Sequence, residues 1–225
     1  MCGRFTLTAT IDEIIDRFEI QAFLEEENYT PSYNIAPSQP VLAIINDSKI
    51  NRMGFLKWGL IPPWAKDVSI GYKMINSRAE TLAEKPSFRN PFRKKRCLIA
   101  ADSFYEWRRN DDNSKTPMRI KLKADGLFAM AGIWEQWKSP QGVPVFSCSV
   151  ITTSPNELMS RIHDRMPVIL KPEDEKTWLD PSITDTNYLS KLLVPFDQVQ
   201  MEAYEVSTMV NSPRNNSIEL IHKIC

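Results

Sequence analysis

Two histidines, His163 and His222, and four cysteines, Cys2, Cys97, Cys148 and Cys225, are all that the 225 residues offer of those types. None falls at the paired spacing of a zinc or iron site, so no metal is expected. Four scattered cysteines in a chain of this size do not suggest a disulfide scaffold, and reduced thiols in a cytoplasm fit them best. No apolar run approaches the ~20 residues that span a bilayer, and residues 1–20 lack the basic start and apolar centre of a secretory leader. The expectation is a soluble cytoplasmic protein without a membrane partner. Excess charge is missing too: 28 basic residues face 28 acidic ones. The whole-molecule field therefore cannot draw in nucleic acid, and any DNA site must be a local patch. Acid collects at Glu25, Glu26 and Glu27. Arg89, Arg93, Lys94, Lys95 and Arg96 form a basic cluster that reads first as a solvated loop and only weakly as a phosphate contact.

What is present is enough apolar side chain, 42% of the sequence, to bury a substantial core in one domain spanning 1–225. Thr10 and Glu13 fit a capping box, and Ile11, Ile14, Ile15 and Phe18 follow a helical period, predicting a helix from about 11 to 27. A proline-containing loop is expected over 30–40, then strands over 41–46, 52–60, 96–107, 116–123, 127–137 and 143–153. Several connections are too short for a crossover helix, so antiparallel pairing is expected. Ser154, Pro155 and Glu157 mark a helix start that ends before His163. Pro172 opens a helix towards Leu179, 188–193 supplies a third, and 201–207 a late strand. With no repeat or linker, the class is α+β, rich in antiparallel sheet.

The start Met1-Cys2-Gly3-Arg4 is chemically distinctive. A small second residue favours removal of the initiator methionine, and removal exposes Cys2 as a 1,2-aminothiol. An α-amine has a reference pKa of about 7.7–8.0 against roughly 10.4 for lysine, so an appreciable fraction is nucleophilic near neutrality. Such an amine condenses with an aldehyde, and the neighbouring thiol can close a thiazolidine ring. An internal cysteine cannot. Taken alone, Cys2 fits equally a small apolar residue near a terminus. Cys2-Gly3 also suits an amidohydrolase with an N-terminal nucleophile, although no other amidotransferase motif follows. A non-catalytic single-strand binder, for which Cys2 is dispensable, stays open as well.

Further motifs follow in order: Tyr33-Asn34-Ile35-Ala36-Pro37, Trp58-Gly59-Leu60-Ile61-Pro62, Asn76-Ser77-Arg78-Ala79-Glu80, Phe104-Tyr105-Glu106-Trp107 and His163-Asp164-Arg165-Met166-Pro167. With the Met-Cys-Gly-Arg-Phe start, the set closely resembles the SOS-response-associated peptidase family of abasic-site processing proteins. The resemblance runs from Met1 to Val210-Asn211. It implies a single α+β domain with a largely antiparallel, curved or barrel-like sheet and flanking helices. It also implies Cys2 as the nucleophile, with Asn76, Glu106 and His163 beside it. Asn76 can orient the amine or the opened sugar. Glu106 suits proton shuttling during imine formation and reversal, and His163 suits assistance of ring opening.

Arg4, Arg78 and Arg165 match positions that hold the DNA backbone, where a guanidinium fork suits phosphate. Trp64 matches a position that stacks on bases around the lesion. Some relatives carry two adjacent tryptophans there, whereas this chain has Ala65 second. Asn34 and Pro37 shape the pocket, and Asn34 is also a candidate DNA contact; Trp58 and Trp107 read as core or pocket wall. The implied activity is covalent capture of abasic single-stranded DNA, with associated lyase chemistry and self-processing peptidase removal of Met1. No cofactor is implied. A monomer is expected, with replication-fork proteins as further candidate partners.

Overall fold

The computed structural model describes residues 2–23 and 29–224. Strand β1 (Phe5–Leu7) leads into α1 (Ile11–Phe18), whose Thr10–Glu13 capping box forms in both directions. Ile14 and Phe18, one helical turn apart, are its buried face. The apolar period then fails. Glu19 takes a left-handed backbone at φ 50° and the chain continues as β2 (Ile20–Phe23), so the helix expected to run to 27 stops at Phe18. Residues 24–27 of that expectation lie outside the described residues.

Strand β3 (Ser32–Ile35) occupies part of the expected 30–40 loop, because pairing with β1 orders it between its prolines. There follow β4 (Pro40–Asn46), β5 (Asn51–Trp58), β6 (Asn76–Arg78), α2 (Arg89–Lys94), β7 (Arg96–Ala101), β8 (Ser103–Arg109), β9 (Lys115–Leu122), β10 (Phe128–Lys138) and β11 (Pro144–Thr153). After α3 (Glu157–Ser160) come the short strands β12 (Met166–Pro167) and β13 (Ile169–Leu170), then α4 (Pro172–Leu179), α5 (Thr186–Ser190) and β14 (Met201–Glu205).

Five strands in the order β11-β10-β7-β4-β5 close into a barrel, because β5 pairs back onto β11 in parallel through Lys57↔Ser147 and Trp58↔Cys148. Closure leaves these strands no free edge. A second sheet, β14-β9-β8-β1-β3, packs against the barrel. The two share one hydrophobic core, in which the Phe5 and Trp58 rings meet edge to face at 5.2 Å. All six residues of β7 are buried, as expected of a strand covered on both faces.

Two expectations are corrected here. The single strand over 96–107 is two strands in different sheets. Asp102 is the break: its carboxylate accepts from the Thr6 and Thr8 hydroxyls and the Thr8 amide, and its own N–H donates to Thr6 O. The basic cluster is not a loop, since Arg89 to Lys94 form α2. Arg96 is buried and donates to the carbonyls of Phe92, Arg93, Trp178 and Asp180. Burial lowers its pKa to about 10, and it ties β7 to α4 rather than facing a phosphate.

No helix among the described residues is long and apolar enough to cross a membrane. Cys2, Cys97 and Cys148 are free and buried; Cys225 lies outside the described residues.

The segment between β5 and β6 is pinned by two glycines. A Cβ on Gly59, which has φ +131°, would sit 2.7 Å from Gly71 O, and one on Gly71 would sit 2.7 Å from Gly59 O. Only glycine permits that approach. Trp137 Nε1 donates to Ala65 O on the same segment, which presents Trp64 and Tyr72 outward, 61% and 65% exposed.

Candidate nucleophile site

The amino-terminal strand runs through the middle of the second sheet, between β8 and β3, and Tyr105 N–H donates to Arg4 O just before β1 begins. This fixes the backbone that leads back to Cys2, which is 3% exposed. Asn76 holds the same residue from the barrel side, its Nδ2 donating to Cys2 O at 2.9 Å. Asn76 is aimed there because β6 pairs in parallel with β11, setting it opposite Val150. Its Oδ1 is buried with no hydrogen-bond partner among the described residues, an acceptor left available at the site where one is normally satisfied.

Glu106 lies on the β8 face shared with Phe104 and is 2% exposed. Alternation alone could not tell whether that face or the one with Tyr105 is buried, and the structure buries both. Tyr105 packs against Val206, Val210 and Leu220 of the carboxy-terminal segment, while Phe104 joins the main core. Burial pushes the Cys2 thiol well above its usual pKa; the charge of Glu106 and its hydrogen bond with the thiol add to this, and Arg165 opposes it. The thiol is thus held protonated against a carboxylate.

His163 follows α3, its N–H donating to Met159 O. Its Nε2 is 4.0 Å from Glu106 Oε2, facing the carboxylate but too long for a direct hydrogen bond. The Arg165 N–H donates to His163 Nδ1 at 3.0 Å, whereas Asp164 Oδ1 lies 2.9 Å from the same nitrogen. Both contacts cannot be made by one proton count. A backbone N–H can only donate and Asp164 is 87% exposed, so Nδ1 is the acceptor and the neutral ring carries its proton on Nε2, towards Glu106.

The four expected catalytic residues are therefore brought together. The expected DNA-binding residues are arranged less uniformly. Arg78 is exposed at the end of β6, and Trp64 is exposed on the glycine-pinned segment. Arg165 makes a fork-to-fork pair with Glu80, NH1 to Oε1 at 2.7 Å and NH2 to Oε2 at 2.9 Å, and its NH2 also donates to Thr152 O. Arg4 turns inward: NH1 donates to Asn34 Oδ1 at 2.7 Å and Val210 O at 2.6 Å, and its guanidinium lies 5.6 Å over the Trp107 ring.

Asn34, 2% exposed, completes that clamp by donating to the carbonyls of Val210, Ser212 and Asn215. Its polar atoms are engaged within the protein. Asn34→Leu leaves those carbonyls and Arg4 short of partners, and we expect a loss of about 2–4 kcal/mol, read as a lower urea midpoint at unchanged slope. Two further residues escaped the sequence reading. Tyr72 shows only as an aromatic four residues before Asn76, and Glu80 only as an acid inside a recognised motif.

A single sheet-rich α+β domain closed around a buried cysteine, with a carboxylate on its thiol and an asparagine on its carbonyl, defines a protein class organised about residue 2 of its chain. The sequence model of SRAP, the SOS response associated peptidase family, matches residues 1–213, and the chain belongs to that family. It is 64% identical over 221 residues to Abasic site processing protein YoqW of Bacillus subtilis, covering 98% of this chain and 99% of that one. Abasic site processing protein HMCES of Xenopus tropicalis is 33% identical over 231 residues, covering 89% of this chain and 68% of that protein. A crystal structure of a Bacteroides thetaiotaomicron protein superposes with a TM-score of 0.86 at 29% identity, covering 100% of both chains.

Proposed function

We propose that this protein processes abasic sites in DNA by capturing the ring-opened sugar of a single strand on Cys2. The observation that carries the reading is the Cys2 thiol buried against Glu106 while Asn76 grips its carbonyl. The relatives named as abasic site processing proteins agree with it.

In this reading Met1 is first removed, by the protein itself or by a cellular peptidase, freeing the α-amine. The amine attacks the C1′ aldehyde, the carbinolamine loses water, and a C=N bond forms. The thiol then adds to the imine carbon. A new S–C bond forms, the thiol proton passes to Glu106, and the former imine nitrogen takes up a proton, giving the thiazolidine. Reversal by the same carboxylate reopens the ring and releases the strand.

Asn76 Oδ1 accepts from the amine or the opened sugar hydroxyl, and His163, with its Nε2 proton towards Glu106, assists ring opening. The imine is also the intermediate of β-elimination, so slow strand cleavage belongs to the same chemistry. Trp64 and Tyr72 offer aromatic faces for the bases beside the gap, each worth about 1–3 kcal/mol when stacked.

Intact mass spectrometry tests the reading. The adduct with an abasic oligonucleotide must weigh the sum of Met1-free protein and DNA less one water. A mass without that loss, or no adduct, defeats it. Arg78 is an exposed cation beside Asn76, and Arg78→Ala should weaken binding of single-stranded DNA and lower the slope of log affinity against log salt by about 0.7, one phosphate's worth on a single strand. An unchanged slope in a salt titration would remove Arg78 from the DNA path.

A further inference from the structure

We infer that Glu80 is a built-in placeholder for a DNA phosphate: its carboxylate occupies the Arg165 fork while the site is empty and is displaced when a backbone phosphate arrives. The inference rests on the proposed reading of the site as a single-stranded DNA site.

The Arg165 side chain is only 14% exposed. A guanidinium so far out of water needs an anion at all times, because an unpaired buried cation is strongly unfavourable. In the empty site that anion is Glu80, bonded to both terminal nitrogens. A phosphodiester presents two oxygens with a similar bite and the same single charge, so it can take over the fork without changing the charge balance.

The two partners are anchored very differently. Arg165 is held from behind by its NH2 bond to Thr152 O at 2.6 Å and, through its own backbone N–H, by His163 Nδ1. It stays in place when its partner changes. Glu80 is 49% exposed and sits on the single 3-10 turn Ala79–Thr81, and among the described residues the Arg165 fork is its one ion pair. It can swing into water at little cost, since a half-exposed carboxylate is readily rehydrated.

The hydrogen bond from Arg165, helped by Glu80's own backbone N–H and then by the charges of Arg165 and Arg78, holds the Glu80 carboxyl below its ordinary range against the opposing effect of burial. It is therefore ionised near neutrality and lies in the field of Arg78 and Arg165, two of the three arginines expected to meet phosphate. Asn76-Ser77-Arg78-Ala79-Glu80 thus supplies a backbone ligand and the competitor for its neighbour within five residues of sequence.

Glu80 consequently sets a threshold. A lone small anion gains little by exchanging with a tethered carboxylate, whereas a strand that also engages Arg78 and the exposed aromatics does gain.

The test is a double-mutant cycle read by fluorescence anisotropy with an intact single-stranded oligonucleotide, which cannot form the covalent link. Glu80→Gln keeps the shape of the side chain and removes its charge; we expect roughly three- to fivefold tighter binding, the scale of a half-exposed ion pair. On an Arg165→Ala background the same substitution should change affinity by less than about twofold. Glu80→Ala is carried in parallel and should move in the same direction, with circular dichroism checking the fold of each variant.

Equal or weaker binding by Glu80→Gln on the wild-type background overturns the placeholder and makes Glu80 a support for Arg165. An equal gain on both backgrounds overturns it as well, leaving only a general charge effect. Absence of DNA binding by the wild-type protein would instead defeat the reading on which the inference rests.

Discussion

Cys2→Ala protein incubated with abasic single-stranded DNA is expected to give no adduct that survives denaturing electrophoresis, while the wild type should give one and neither should react with an intact strand. The expected loss is roughly 10²-fold or more, as when a covalent nucleophile is removed. Alanine keeps the α-amine, so a borohydride-trapped imine is still expected from it and from Cys2→Ser; what disappears is the sulfur-closed ring. Cys2 is already buried and small, so the alanine variant should fold and retain salt-sensitive binding through Arg78. Equal amounts of heat-stable adduct from wild type and Cys2→Ala would end the thiazolidine mechanism.

Blocking the α-amine is expected to have an effect as large. With Met1 retained, or any residue fused ahead of Cys2, its nitrogen becomes an amide whose lone pair is delocalised into the peptide bond. No imine can form, although Cys2, Asn76, Glu106 and His163 remain in place. Protein carrying an uncleaved amino-terminal extension and protein trimmed to Cys2, each verified by mass, are compared on one abasic oligonucleotide. The extended form should yield adduct only in proportion to residual trimming. Should it crosslink fully with its extension intact, the free amine is not the nucleophile.

The local features of the fold were the legible ones. The Thr10–Glu13 box, the proline-led start of α4 and most strands of the barrel follow from neighbouring residues. What could not be read depends on partners far away in the chain. Closure of the barrel rests on the pairing of β5 with β11, separated by about ninety residues, and nothing in either strand names the other. The break at Asp102 is set by Thr6 and Thr8, and its flanks look like one continuous apolar run.

The site shows the same division. Motif order picked out Cys2, Asn76, Glu106 and His163, but β8 reads as half-exposed until the carboxy-terminal segment is seen covering Tyr105. Arg4 was expected at the DNA backbone; the partners the structure gives it, Asn34 and the carbonyl of Val210, lie 30 and 206 positions away and could not be read locally. Glu80 was invisible as a competitor for the same reason: its arginine is 85 residues on.

That clamp on the carboxy-terminal segment has a temporal consequence. The ribosome delivers Arg4 and Asn34 well before the carbonyls of Val210, Ser212 and Asn215 that they hold. Until those residues emerge, Arg4 has no seat, and the wall formed by Tyr105 and Trp107 has no cover. The seat of Arg4 and the wall beside Cys2 are therefore completed only once the chain as far as Asn215 is free to pack against them.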